Sequence, residues 1–215
     1  MAAVPPLSSA DGDRSGAIET GALEAAPLLL GLLLARGSTA ARIVEVEAYR
    51  EDDPASHSRR GPTPRTAPMF GPPGCWYVYL SYGMHWCANL TCGPVGRGEA
   101  VLLRAALPET DLDQFRRRRG RVGRRVAPDR LLDGPAKLAQ GFGLTGADSG
   151  RPAFGPAVAD GVRLIDDGIR LPVDRTTSRV GISSGTDRAW RFCAAGAPMR
   201  TPGERAVPRP ARGAR

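Results

Sequence analysis

The chain has 215 residues, 41% of them hydrophobic, and a formal net charge of +8. That length admits one large domain or two small ones, with enough apolar content for a buried core. The charge points to a polyanionic partner, nucleic acid before an acidic membrane surface, although a basic balance also serves plain solubility. The cysteines (Cys75, Cys87, Cys92 and Cys193) form no CxxC pair, which argues against structural zinc and for free thiols in a reducing compartment.

Residues 1–18 are small and polar and read as disordered. The most hydrophobic run, Ala25 to Ala35, is too short for the roughly 20 residues a bilayer span needs. Asp11, Asp13, Glu19 and Glu24 precede it against Arg14, unlike the basic start of a signal peptide. It predicts a core helix from about Leu23, with Pro27 in its first turn and Gly37 as C-cap, in a cytoplasmic protein.

Arg42 to Tyr49 alternates as a strand. Ile43, Glu45, Glu47 and Tyr49 would share one face, and Val44, Val46 and Ala48 the other. Two carboxylates and a phenol on one face imply a polar cleft, or simply a solvated side. Arg50 to Pro73 reads as a long ordered loop carrying His57, Arg59, Arg60 and Arg65. Trp76–Leu80 and Met84–Thr91 predict a hairpin, with Gly83 in its reversal. Its tip carries Tyr82, either a wedge for a base stack or a ring folded back on its own hairpin. Tyr77 and Tyr79 share a face, and Asn89 lies with Cys87 and Thr91.

Ala100 to Leu107 predicts a fourth strand, with Leu102, Arg104 and Ala106 on one face. Arg104 needs a partner if buried, and Glu47 is the candidate. A helix starts at Glu109–Phe115, and a run of arginines follows: a phosphate-binding edge or a solvated loop. Asp133–Leu138 starts another helix, where free N–H groups and Lys137 would make an anion site. Short strands fill 149–177. Arg179–Ile182 and Trp190–Phe192 read as core segments, and the tail from Gly203 as disordered. Hairpin connections argue for an antiparallel sheet. One domain over 19–202 is expected.

The segment 42–104 holds both histidines, all four tyrosines, two of three tryptophans and three of four cysteines. Stacking rings, a carboxylate and a basic rim suit a nucleotide extruded from a duplex. A carboxylate beside the sugar could activate water against C1′ and stabilise an oxocarbenium-like state. Neither a zinc-deaminase pattern nor a GxGxxG or GxxxxGK[ST] loop is present.

The segments RIVEVEAY, ASHSRRGPTPR, MFGPPGCWYVYLSYGMHWCANL and AVLLRA resemble the alkyladenine (3-methyladenine) DNA glycosylase family. DGPAKLAQ, RVGI and WRF extend the resemblance from about Leu23 to Met199. It implies an α+β fold: a single compact domain with a curved, mainly antiparallel β-sheet, a protruding β-hairpin and flanking helices. It implies excision of alkylated and deaminated purines from double-stranded DNA; a monomer is the simplest expectation, with no cofactor and no metal. Glu47 falls on the family's general base, and Arg104 on the arginine that helps hold the water. Tyr49, His57 and Tyr79 fall on residues enclosing the flipped base. Asn89 falls on the residue that excludes guanine's 2-amino group, and Tyr82 on the one inserted into the duplex. Arg60, Thr63, Met84 and Lys137 fall on contacts to the backbone or minor groove.

Two departures accompany the match. Tyr49 and His57 stand one residue closer than the family pattern, and TPRT replaces TPRN, which predicts a looser loop at Thr66. A backbone-nicking glycosylase works through an amine-derived Schiff base. Lys137 is the only lysine and its motif suggests backbone contact, so a monofunctional enzyme is expected. A catalytically inactive nucleic-acid-binding module of the same fold and a hydrolase of free nucleosides are the alternatives.

Overall fold

The apolar run does not stay helical. A computed structural model describes residues 12–155 and 161–195; the tail from Gly203 and residues 1–11 lie outside them. Helix α1 (Gly12–Thr20) overlaps the segment expected to be disordered. It is anchored where Ile18 is buried and its carbonyl accepts the Gly93 N–H at 2.8 Å. Helix α2 (Ala22–Leu29) follows, and Pro27 stands inside it rather than in its first turn. Proline cannot donate to the carbonyl of Leu23, and α2 ends two residues later. Leu30 is extended and Gly31 takes a φ of 90°. The Gly31 N–H then donates to the Ile43 carbonyl, and the Ile43 N–H returns to Leu32, both at 2.9 Å. The rest of the run therefore leaves as strand β1 (Leu33–Arg36). Gly37 sits at φ 57° between β1 and β2 (Thr39–Tyr49) instead of capping a helix.

Strands β3 (Trp76–Ser81) and β4 (His85–Thr91) form the expected hairpin, and β5 (Ala100–Pro108) the expected fourth strand of that reading. Helices α3 (Leu112–Arg118) and α4 (Pro135–Phe142) precede β6 (Arg163–Ile165), β7 (Val173–Thr177) and β8 (Arg191–Ala194). The sheet order is β3-β4-β5-β2-β1-β6, with β8 pairing β2 and β7, all antiparallel. The result is a single α+β unit with a curved antiparallel sheet, as expected.

Strand β2 changes neighbour along its length. Residues 39–42 pair with β1, and Glu45–Glu47 pair with β8. At the changeover the β2–β5 register steps over Val44 on one strand and Arg104 on the other. Such bulges re-aim side chains. Ile43 and Ala106 consequently join the main core, not the face of Glu45 and Leu102 as simple alternation predicts.

Alternation elsewhere divides the sheet cleanly. One face carries Val46, Ala48, Val78, Leu90, Val101 and Leu103 against α2, Phe115 and α4. The other carries carboxylates, arginines and tyrosines. There the Arg50–Pro73 loop, with 3-10 turns at His57–Arg60 and Ala67–Phe70, packs Met69 and Phe70 against Tyr77. Among the described residues, no helix is long and apolar enough to cross a membrane.

Candidate active site

The polar face is built around two buried carboxylates. Glu45 Oε1 accepts from Arg104 Nε at 2.8 Å and from Arg191 Nε at 2.6 Å. Glu45 is thus the counter-ion of two buried arginines, and leaving any one of the three alone would strand a charge. Glu47, not exposed at all, has a different set of partners. Its Oε2 accepts from the Tyr49 hydroxyl at 2.8 Å, and its Oε1 from the Val180 N–H at 2.8 Å. Arg104 Nη1 stands 3.3 Å from the same Oε1. Arg104 therefore pairs with both carboxylates, and its hydrogen bond goes to Glu45 rather than to the expected Glu47. Burial alone would lower the Arg104 pKa; Glu47 and Glu45 outweigh it and raise it. Burial, and then the charge of Glu47, push the Tyr49 hydroxyl well above its usual 10, so Tyr49 remains a donor.

In front of Tyr49 and Arg104 opens a cavity of about 640 Å³. Its walls include Tyr49, His57, Tyr77, Tyr79, Asn89 and Arg104, and the loop Val180–Ser184 closes one side. Glu47 lies immediately behind this wall. Tyr77 and Tyr79 stack at 5.5 Å with an interplanar angle of 26°. His57 meets Tyr79 edge-on at 4.5 Å, and its Nδ1 lies 2.9 Å from the Tyr77 hydroxyl. Desolvation by the walls, then nearby Arg65, lower the His57 pKa, which keeps the ring neutral at pH 7. Asn89 is buried and donates to the Tyr77 carbonyl at 3.0 Å. Between Tyr49 and His57 the chain makes a tight turn, with Asp53 N–H on the Arg50 carbonyl at 3.2 Å. Glu51 holds that turn by accepting the Gly98 N–H at 2.9 Å.

Around the mouth, the hairpin tip projects. Tyr82 is 88% exposed and Met84 69%, so Tyr82 is not folded back on its hairpin. Tyr82 and Gly83 both have positive φ, 49° and 69°, and the Met84 N–H closes the turn on the Ser81 carbonyl at 3.0 Å. That is the primed turn that matches strand twist. Arg60 and Thr63 are exposed on the loop. Thr66 is buried and exchanges hydrogen bonds with Thr63, at 2.9 Å from the Thr63 N–H, so the loop is closed there rather than loosened. Lys137 is held by Asp133 at 2.5 Å instead of standing free beside the α4 start. The arginine run is partly internal: Arg118 donates to Thr39 and Gly141, and Arg119 to Leu131. Arg124 and Arg125 remain exposed.

Sequence reasoning left several of these residues out. Of the expected core segment Arg179–Ile182, only Arg179 is buried; Val180–Ile182 line the pocket, and Val180 reaches Glu47 through its backbone, which no side-chain pattern reveals. The sequence puts Arg191 in the core but does not reveal its partner Glu45. Tyr77 carried a periodic signal, shared with Tyr79, that could have found it. Among the described residues no group of three or more His, Cys, Asp or Glu is placed to hold a metal.

The curved antiparallel sheet thus presents an aromatic slot, with Arg104 in its wall and the buried carboxylate of Glu47 behind it. The model of the methylpurine-DNA glycosylase family matches residues 17–198. A relative from Burkholderia cenocepacia strain HI2424, named "Putative 3-methyladenine DNA glycosylase", is 47% identical over 178 residues, covering 81% of this chain and 84% of its own. Relatives of the same name from Cutibacterium acnes and Rhodopseudomonas palustris strain CGA009 are 47% and 46% identical, covering 80% and 79% of this chain and 90% and 78% of theirs. The chain belongs to the methylpurine-DNA glycosylase family, enzymes of the N-glycosyl hydrolase class.

Proposed function

We propose that this protein is a monofunctional DNA glycosylase that turns a damaged purine out of duplex DNA and hydrolyses its N-glycosidic bond, leaving an abasic site. The observation that carries the reading is the position of Glu47. It is a buried carboxylate, oriented by Tyr49, Val180 and Arg104, directly behind the wall of an aromatic slot. An ionised carboxylate has about four acceptor positions, so these partners leave it capacity for a water. Glu47 takes the proton as that water attacks C1′, and its charge stabilises the developing cation. Arg104 helps seat the water.

Tyr49, His57 and Tyr79 enclose the extruded base, and Asn89 rejects a 2-amino group by crowding it. Tyr82 fills the gap left in the stack. Arg60, Thr63, Met84 and Lys137 meet the backbone or minor groove. The substrates are alkylated and deaminated purines in double-stranded DNA, and the working form is a monomer in the cytoplasm, on the nucleoid. Among the described residues, no group in the pocket lining is an amine that could form a Schiff base, which supports the monofunctional assignment.

The test is single-turnover base release from duplexes carrying hypoxanthine or ethenoadenine and from methylated DNA. Wild type releases base. Glu47→Gln loses at least the ~10²–10⁴-fold attributed to a general base and still binds duplex. Equal release by both proteins would remove Glu47 from the mechanism. Tight binding without release from any lesion would favour the binding-module alternative.

A further inference from the structure

Asp53 and Arg179 form an ion pair in which neither side chain is exposed. Arg179 Nη2 donates to Asp53 Oδ1 at 2.9 Å and to the Gly185 carbonyl at 3.3 Å, and Nη1 donates to the Ala48 carbonyl at 3.1 Å. The guanidinium also lies against two rings, 4.6 Å from the centroid of Tyr49 and 5.2 Å from that of Trp190. Arg188 covers Trp190 at 4.5 Å and approaches Asp53 at 3.8 Å. Gly185, at φ 63°, is pressed so close that a Cβ would lie 2.9 Å from Asp53 Oδ1 and 3.1 Å from Arg179 Nη2.

Neither Asp53 nor Arg179 lines the cavity, yet their chain neighbours do. Pro54–His57 follow Asp53 and Val180–Ser184 follow Arg179, and both segments line the pocket. A buried ion pair is weak evidence for stability, because desolvation offsets most of its attraction. Its geometry here serves something narrower. One guanidinium touches the back of the Tyr49 ring, the carbonyl preceding Tyr49 and, through the next peptide, Glu47.

We propose that the Asp53–Arg179 pair is a positioning clamp for the excision step, setting the Tyr49 ring and presenting the Val180 N–H to Glu47. This rests on the glycosylase reading above. Asp53 and Arg179 touch no substrate; they act through Tyr49 and Val180. A misplacement of about 1 Å in such an assembly can slow chemistry on the order of 100-fold. Grip on duplex DNA, which depends on the exposed rim, does not need the clamp.

The experiment measures single-turnover release, duplex affinity and thermal midpoint for wild type, Arg179→Gln, Arg179→Lys, Asp53→Asn and Arg42→Gln. Arg42→Gln is the stability control: Arg42 is tied to Glu109 and Asp167 at the other end of β2 and lines no part of the pocket. Expected is a roughly 10- to 100-fold slower release by Arg179→Gln and Asp53→Asn at saturating enzyme, with duplex affinity close to wild type. Arg179→Lys recovers part of the rate because it keeps the charge opposite Asp53 but not the fork. Arg42→Gln loses stability and keeps its rate per folded molecule. Should Arg179→Gln fail to fold, Asp53→Asn and Arg179→Lys carry the comparison. Wild-type rates in the Arg179 and Asp53 variants, or a loss in them that only follows the folded fraction, would overturn the clamp alone. No release by wild type would instead overturn the glycosylase reading itself.

Discussion

Glu45 and Glu47 stand two residues apart on one strand, and their surroundings give them separate tasks. Glu45 neutralises Arg104 and Arg191, while Glu47 has two neutral donors and a more distant arginine. Environment, not residue type, divides such pairs. His57 makes the same point in a measurable form. The folded protein holds its pKa below 6.5, through desolvation first and Arg65 second, whereas the unfolded chain titrates near 6.5. As pH falls through that window the unfolded chain binds the proton first, so stability declines below pH 6.5 and levels off above it. NMR titration should place the His57 ring below 6.5, and His57→Gln should flatten that part of the stability curve; a midpoint at or above 6.5 would refute the assignment. The residues legible in sequence were those whose side-chain chemistry and spacing coincide, such as Glu47, Tyr79 and Tyr82. Arg179 and Val180 were not, since one acts behind the wall and the other through its backbone.

Elements with a strict period were readable, and those decided by a single backbone event were not. The β3–β4 hairpin follows from alternation and Gly83. The split of the apolar run into α2 and β1 does not, because Leu and Ala suit either state and the decision falls to Pro27 and Gly31. The β2–β5 bulge was equally hidden: alternation predicts the face of Glu47 correctly and the faces of Ile43 and Ala106 wrongly, since the slip lies between them. The hairpin carries its own prediction. Its tip places Tyr82 in solvent on a closed turn at the mouth of the pocket. Tyr82→Ser should reduce release from duplex by the equivalent of about 1–3 kcal/mol, one base-to-ring stack, and leave release from a single-stranded lesion little changed. Equal loss on both substrates would mean that Tyr82 supports the pocket rather than the opened duplex.

For the molecule as a whole, a charge of +8 is distributed so that some arginines are structural and others free. Arg104, Arg179 and Arg191 are buried in ion pairs, while Arg59, Arg60, Arg124 and Arg125 are exposed. Only the exposed group can displace counterions from DNA. Duplex affinity should therefore fall with salt, with a log–log slope of about −0.9 for each phosphate engaged. Arg124→Gln with Arg125→Gln tests whether that edge of the arginine run contributes; an unchanged slope would assign binding to the mouth alone.

The neighbour exchange along β2 also bears on biosynthesis. Glu45 and Glu47 leave the ribosome early, but their partners Val180 and Arg191 lie 133 and 146 residues later. A nascent chain can assemble its hairpin and its helix-backed core while both carboxylates still lack those partners. Contacts so remote in sequence form late and slowly. A chain arrested before residue 180 would carry the tyrosines of the slot while Glu47 lacked the Val180 N–H and Glu45 lacked Arg191.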